Sequence, residues 1–225
     1  MERQVYGREI IKNLQQAVTV TSVSQYLTVY PTHPQQRLLN RAAEIVAGGG
    51  LLVYPTDTTY AIGCHIGDKQ ALQRIRRIRQ LDDKHQFTLT CRDLSEIANY
   101  ARVSDPNSRI LKHFTPGPFT FVLPATKEVP KRLVHPKRRT IGLRIPDHPV
   151  ALGLLESLGE PMMTTTMRLP GVELPLSDPE DIRDLVSSFV DVIVDGGACG
   201  LVSTTVVDLT GDAPEIIRQG LGDFA

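Results

Sequence analysis

Residues 35–60, QQRLLNRAAEIVAGGGLLVYPTDTTY, decide the fold class. Leu38, Leu39, Ala42, Ala43, Ile45 and Val46 recur at helical spacing, and Gly48-Gly49-Gly50 halts the helix. The apolar run from Leu51 to Tyr54 then reads as a buried strand, closed by Pro55. A helix, a glycine stop and a buried strand in succession are the working unit of an α/β protein.

The alternation continues outward from that stretch. Leu72, Ile75 and Ile78 lie three apart in a second helix whose other face carries Arg74, Arg76, Arg77 and Arg79. Phe87 to Cys91, Phe119 to Leu123, Thr140 to Ile145, Val190 to Val194, Thr204 to Leu209 and Glu215 to Arg218 read as strands, as does Pro161 to Met163. Asp93, Ser104 and Asp147 are candidate helix caps, and Ser177-Asp178-Pro179-Glu180-Asp181 combines a cap, a first-turn proline and acids at the positive end of the dipole. The interleaving predicts an α/β protein with a mixed, twisted sheet, as a single domain over residues 31–225. Residues 1–30, with weak periodicity and a Tyr-Pro-Thr-His-Pro run ending at Pro34, read as an N-terminal extension.

The chain has 225 residues, with 25 Lys+Arg against 25 Asp+Glu, so its zero net charge argues against gross polycationic binding. The charge is segregated, however. Seven basic residues stand between Lys127 and Arg144 against Glu128, and seven acids between Glu173 and Asp195 against Arg183. No apolar run approaches the roughly 20 residues that span a bilayer, and the N-terminus lacks the apolar core of a secretory signal. Three cysteines, Cys64, Cys91 and Cys199, are too few for a disulfide framework, so a cytoplasmic, thiol-reduced protein is expected.

Common chemical signatures are missing. There is no phosphate loop ending in Gly-Lys, no Gly-x-Gly-x-x-Gly, no His-Glu-x-x-His, no Cys-x-x-Cys and no Gly-x-Ser-x-Gly. No metal set is read, and no residue is assigned a catalytic role. What recurs instead is a series of hydroxyl-rich strand ends: Tyr54 to Tyr60, Thr164-Thr165-Thr166 and Ser203-Thr204-Thr205. Hydroxyls and backbone N–H groups, joined by arginines, suit a phosphate or a carboxylate. Open α/β sheets bind ligands at such edges.

Tyr54-Pro-Thr-Asp-Thr-Thr-Tyr60, Phe114-Thr-Pro-Gly-Pro-Phe-Thr120, Ile141-Gly-Leu-Arg-Ile-Pro146 with His148-Pro149, and Thr204-Thr-Val-Val-Asp208 stand in an order and spacing that resemble the YrdC/YciO family. Within it, Arg77-Ile-Arg-Gln-Leu81, Phe87 to Asp93 and Glu160-Pro-Met162 are similar to the YciO branch. The resemblance implies a twisted, mixed but mostly parallel open sheet with helices on both sides and a basic concave face. It also implies one of two roles. One is synthesis of threonylcarbamoyl-AMP from L-threonine, bicarbonate and ATP with release of pyrophosphate, feeding tRNA modification. The other is binding of double-stranded or structured RNA without synthase activity.

Carried onto this chain, the resemblance implies threonine contacts at Thr58, Thr90, Arg144, Thr164 and Thr204. It implies nucleotide contacts at Arg79, His85, Thr140, Thr166 and Arg218, with ATP as substrate and magnesium bridging its phosphates. Asp57 is the nearest acid for that ion, or caps its turn. The chain departs from the synthase pattern twice: Arg79-Gln80-Leu81 stands for Lys-x-Arg, and Thr166-Met167-Arg168 for Ser-x-Asn.

Overall fold

The computed structural model describes residues 24–82 and 85–224. Residues 1–23, on which most of the expected N-terminal extension falls, lie outside the described residues. Ten strands form one sheet: β1 (Gln25–Thr28), β2 (Leu52–Tyr54), β3 (Ala61–His65), β4 (Thr88–Thr90), β5 (Phe119–Pro124), β6 (Thr140–Arg144), β7 (Met162–Thr166), β8 (Val192–Asp195), β9 (Thr205–Asp208) and β10 (Glu215–Arg218). Their order is β1-β8-β2-β3-β7-β4-β6-β5-β9-β10. Six helices accompany them among the described residues: α1 (Gln36–Ala47), α2 (Lys69–Arg79), α3 (Leu94–Tyr100), α4 (Asp105–Phe114), α5 (Pro149–Leu158) and α6 (Pro179–Val186). None is long and apolar enough to cross a membrane.

Three expectations are corrected. The sheet is open and mixed, but its balance is not mostly parallel. The pairs β1–β8, β2–β8, β4–β6 and β5–β9 run parallel, whereas β2–β3, β3–β7, β4–β7, β5–β6 and β9–β10 run antiparallel. The cause is local: β2 and β3, and likewise β9 and β10, are sequence neighbours joined by short turns with no crossover helix between them. Second, the folded part begins before residue 31. Gln25 to Thr28 pair residue by residue with Val192 to Asp195, so the segment read as an extension contributes an edge strand of four residues, too short to show a period. Third, Thr164 to Thr166 do not follow a strand but lie inside β7, where β-branched residues belong.

Each helix start has a physical reason. Asp68, Asp93, Ser104 and Asp178 accept hydrogen bonds from backbone N–H groups of α2, α3, α4 and α6. The cap of α5 is His148 rather than the expected Asp147, because Pro149 occupies its first turn.

Strand alternation sorts the core into two layers. Val53, Ile62, Leu89, Phe121, Leu143 and Ile193 face a large apolar layer shared with Leu72, Ile75 and Ile78 of α2, Ile97 of α3, Leu111 of α4 and Ile182 and Val186 of α6. On the opposite face Leu52, Tyr54, Val192 and Val194 pack under Leu39, Ala42 and Val46 of α1 and Val150, Ala151, Leu154 and Leu155 of α5. These two helices cover the β1-β8-β2 end of that face, with Ala61 of β3 and Met162 of β7 at the margin of the layer. Their close approach rests on Gly153, where a Cβ would lie 2.5 Å from Leu39 Cδ1. Gly153→Val is expected to push α5 off α1 and destabilise the protein by about 1–3 kcal/mol, read as a lowered denaturant midpoint at unchanged slope.

Candidate functional site

Past the reach of α1 and α5, the same sheet face turns polar. Thr164 lies opposite Thr88, Thr88 opposite Gly142, Gly142 opposite Val122, and Val122 opposite Asp208, in one row across five strands. Thr90 opposite Arg144, and Thr120 opposite Val206 opposite Arg218, belong to the next row. Hydroxyls, one glycine and arginines thus occupy positions that further along the sheet hold leucine and valine. The result is a cavity of about 330 Å³, within the usual range for small-molecule sites.

Of the residues expected at the site, Thr58, Thr90, Arg144, Thr164, Thr204, His85, Thr140, Thr166 and Arg218 all line this cavity. Arg79 does not. Its guanidinium is buried and donates to the backbone carbonyl of Arg168, while Leu81 packs on the core and Gln80 ends α2 in the left-handed region. The charge of Arg79 nevertheless acts on His85, which lines the cavity. Burial, with Arg168 nearby, pushes the Arg79 pKa down to about 10.

The hydroxyls are paired across strands. Thr90 Oγ1 and Thr164 Oγ1 lie 2.8 Å apart, Thr120 Oγ1 and Thr204 Oγ1 2.9 Å, and Thr56 Oγ1 and Thr58 Oγ1 3.1 Å. Thr56 also accepts from the Thr59 backbone N–H and donates to the Thr59 carbonyl, which fixes the Pro55–Thr59 turn against β3. Because Thr56 gives its proton to the Thr59 carbonyl and Thr164 gives its proton to the Thr88 carbonyl, those two pairs present oxygen lone pairs, while Thr120 and Thr204 can present a lone pair or a proton.

The floor carries a buried ion pair, Arg144 with Asp57. Asp57 therefore does not simply cap its turn; it reaches β6 and holds the arginine. Burial lowers the Arg144 pKa, and the Asp57 carboxylate opposes that shift. Asp57 Oδ2, Arg144 Nε and His148 Nδ1 are all buried without a hydrogen-bond partner, and the buried Tyr54 hydroxyl stands beside those of Thr90 and Thr164. Such orphans gathered in one place mark where water or a ligand completes the structure. Tyr54, Thr88, Thr120, His135 and Arg138 are cavity residues that the sequence reading missed. Alternation along β4 and β5 points to Thr88 and Thr120, two residues from Thr90 and Val122; Tyr54 and Arg138 give no such signal.

The positive end of the cavity is Arg218. A bulge in β10 leaves Ile217 without a partner between Ile216↔Val207 and Arg218↔Val206, and so turns Arg218 onto the cavity face. Its guanidinium donates to the Thr204 carbonyl at 2.8 Å and to Thr204 Oγ1 at 3.2 Å. Burial and the charge of Arg168 lower its pKa. His85, 3.2 Å from Thr165 Oγ1, is likewise lowered by burial and then by Arg79, Arg76 and Arg168. Asp82 opposes that shift without cancelling it, and the cationic side chains gathered here suit an anion. Among the described residues no cluster of three His, Cys, Asp or Glu side chains could hold a metal ion.

Two outcomes follow from the floor. Arg144→Ala leaves Asp57 buried and uncompensated and is expected to cost about 3–5 kcal/mol in chemical denaturation, with Asp57→Asn recovering part of it in the double variant. Burial lowers the His148 pKa from the usual 6.5, so around and below that pH the unfolded chain binds more protons than the folded one. Stability should therefore fall as pH drops below about 6.5, and His148→Asn should remove that part of the slope in urea titrations at stepped pH.

The Sua5/YciO/YrdC family model, described as telomere recombination, matches residues 44–220. The uncharacterised protein YciO of Escherichia coli K12 is 54% identical over 201 residues, covering 89% of this chain and 98% of its own. Its crystal structure superposes with a TM-score of 0.86, over 89% of this chain and 97% of that one. A threonylcarbamoyl-AMP synthase of Pyrococcus abyssi is 29% identical over 181 residues, which are 80% of this chain but 53% of the synthase. The crystal structure of P. abyssi Sua5 complexed with L-threonine matches at a TM-score of 0.81 and 25% identity, over 88% of this chain and 58% of that one. On the extent of the family match and of the YciO likeness, this chain belongs to the Sua5/YciO/YrdC family.

Proposed function

We propose that the cavity binds L-threonine and ATP and that the protein is a nucleotide-binding protein of the threonylcarbamoyl-AMP synthase type. The observation that carries this reading is the Arg144–Asp57 pair under paired threonine hydroxyls, with cationic Arg218 on the same sheet face. Arg144 is held by one guanidinium edge on Asp57 and keeps an unbonded Nε, so it is oriented in advance for a carboxylate. Thr58, Thr90 and Thr164 offer partners to a hydroxyl-bearing amino acid, and Thr140, Thr166 and His85 to the nucleotide. The threonine bound in P. abyssi Sua5 supports the amino-acid half of the reading.

In the reaction, bicarbonate carboxylates the threonine amine, losing water, and a carbamate oxygen attacks the α-phosphorus of ATP as the bond to pyrophosphate breaks. This chain's part is positioning and charge compensation: Arg144 fixes the carboxylate, and Arg218 faces the spreading phosphate charge. Asp57 pairs with Arg144 and Asp208 with Arg138, so among the described residues the cavity presents no carboxylate cage for magnesium. The ion would enter on the phosphates of ATP.

A second reading has its own observation. Lys127, Lys131, Arg132, Lys137, Arg138 and Arg139 are all exposed on the single β5–β6 connection, a patch suited to RNA phosphates.

Pyrophosphate release from Mg-ATP should require threonine and bicarbonate together. Calorimetry should show threonine-dependent heat that Thr58→Val and Arg144→Lys each weaken about tenfold. No release above background and no threonine-dependent heat would sink the synthase reading. Affinity for double-stranded RNA that falls steeply with salt would then leave the second one standing.

A further inference from the structure

Arg138 faces the cavity but has no part in the reading above. It sits on a tight turn built to hold it. The His135 backbone N–H donates to the Thr140 carbonyl and the Arg139 N–H to the His135 carbonyl, both at 2.9 Å. His135 Nδ1 accepts from the backbone N–H groups of Lys137 and Arg138 at 3.3 and 3.1 Å. Arg139 adopts a φ of 55°, a left-handed conformation that a side chain takes only where surrounding bonds compel it.

The rest of this connection is pinned. Val129 and Leu133 are buried, and Arg132 donates to the carbonyls of Ile66, at 3.1 Å, and of Gly67. The turn is thus a fixed bracket beside the cavity. From it Arg138, with about half of its side chain exposed, reaches across to Asp208, which is almost wholly buried. Asp208 does not depend on Arg138 alone. Its Oδ1 also accepts from the Thr210 N–H at 2.9 Å and the Thr210 hydroxyl at 2.6 Å. Burial works against the charged carboxyl, but the Thr210 and Arg138 bonds together hold it below the usual range.

On β9, Asp208 lies two residues beyond Val206, the partner of Arg218. Two residues of strand are about 7 Å, so the Arg138 and Arg218 sites bracket a length that a chain of phosphates spans and a single phosphate does not. Arg138 is an exposed cation whose acid also accepts from other donors.

We propose that Arg138 is a ligand for the phosphate chain of a nucleoside di- or triphosphate, held by Asp208 until the chain arrives. On binding, its guanidinium exchanges the carboxylate for phosphate oxygens opposite Arg218. In this way Arg138 supplies a cation on the cavity side that Leu81 and the inward-turned Arg79 do not. The inference rests on the nucleotide reading of the cavity.

Calorimetry with Mg-ATP and with AMP tests it on wild type, Arg138→Ala, Arg138→Lys and Asp208→Asn, with thermal unfolding as a check of folding. Arg138→Ala should lose ten- to a hundredfold in ATP affinity and leave AMP affinity near wild type. Arg138→Lys should fall between them, keeping the charge without the fork. Asp208→Asn, which releases Arg138, should bind ATP as tightly as wild type or more tightly. A purely structural strap would make Arg138→Ala and Asp208→Asn weaken ATP and AMP alike, and that result overturns the proposal. So does ATP affinity indifferent to Arg138→Ala, which leaves the nucleotide reading intact. Wild type that binds neither nucleotide fails at the earlier step and takes this inference with it.

Discussion

A ten-stranded sheet has more face than two helices can cover. α1 and α5 bury the β1-β8-β2 end of one face under leucine, valine and alanine, and then they run out. Beyond them the sheet must meet water or a ligand, and apolar residues there would be exposed. Threonine solves the problem, because it keeps the strand preference of a β-branched residue while offering a hydroxyl. The cavity is the consequence of that shortage of cover, and the opposite face, packed against α2, α3, α4, α6 and the connections between them, fixes its floor.

The floor also shows how a site is held ready at a cost. Arg144 and Asp57 are taken out of water together, which is expensive, and each retains an atom with no partner. A pair serving stability alone would be better replaced by packed hydrocarbon. The unbonded Arg144 Nε and Asp57 Oδ2 keep polar capacity within a dry region, where a hydrogen bond to an arriving ligand is strongest.

Much of this was legible in the sequence, and for identifiable reasons. The α1 stripe and the Gly48–Gly50 stop are strong periodic signals, and Asp93, Ser104 and Asp178 are caps that stand where the chemistry asks for them. The hydroxyl clusters announced the cavity because three separate strands carried them. The failures have physical causes too. Strand direction is set by connection length and pairing partner, which local patterns do not encode, so the antiparallel share was underestimated. β1 has four residues, fewer than a period can show. Arg79 was expected at the ligand by its place in a motif, but the neighbouring Leu81 anchors that helix end in the core and carries Arg79 toward the Arg168 carbonyl. Asp57, Arg138 and Asp208 meet partners 87 and 70 residues away, contacts that only the folded chain reveals.

The bulge at Ile217 uncouples two halves of an edge strand. Upstream of it, the turn at residues 209–214 and the exposed Glu215 and Ile216 can change length or composition, while the unpaired residue absorbs the difference in pleat. Arg218 keeps its place because the bulge resets the pleat just before it and its own bonds to Thr204 then hold it. The tip of this hairpin is therefore a region where lineages can diverge, acquiring appendages beside the cavity mouth, without rewriting the chemistry inside.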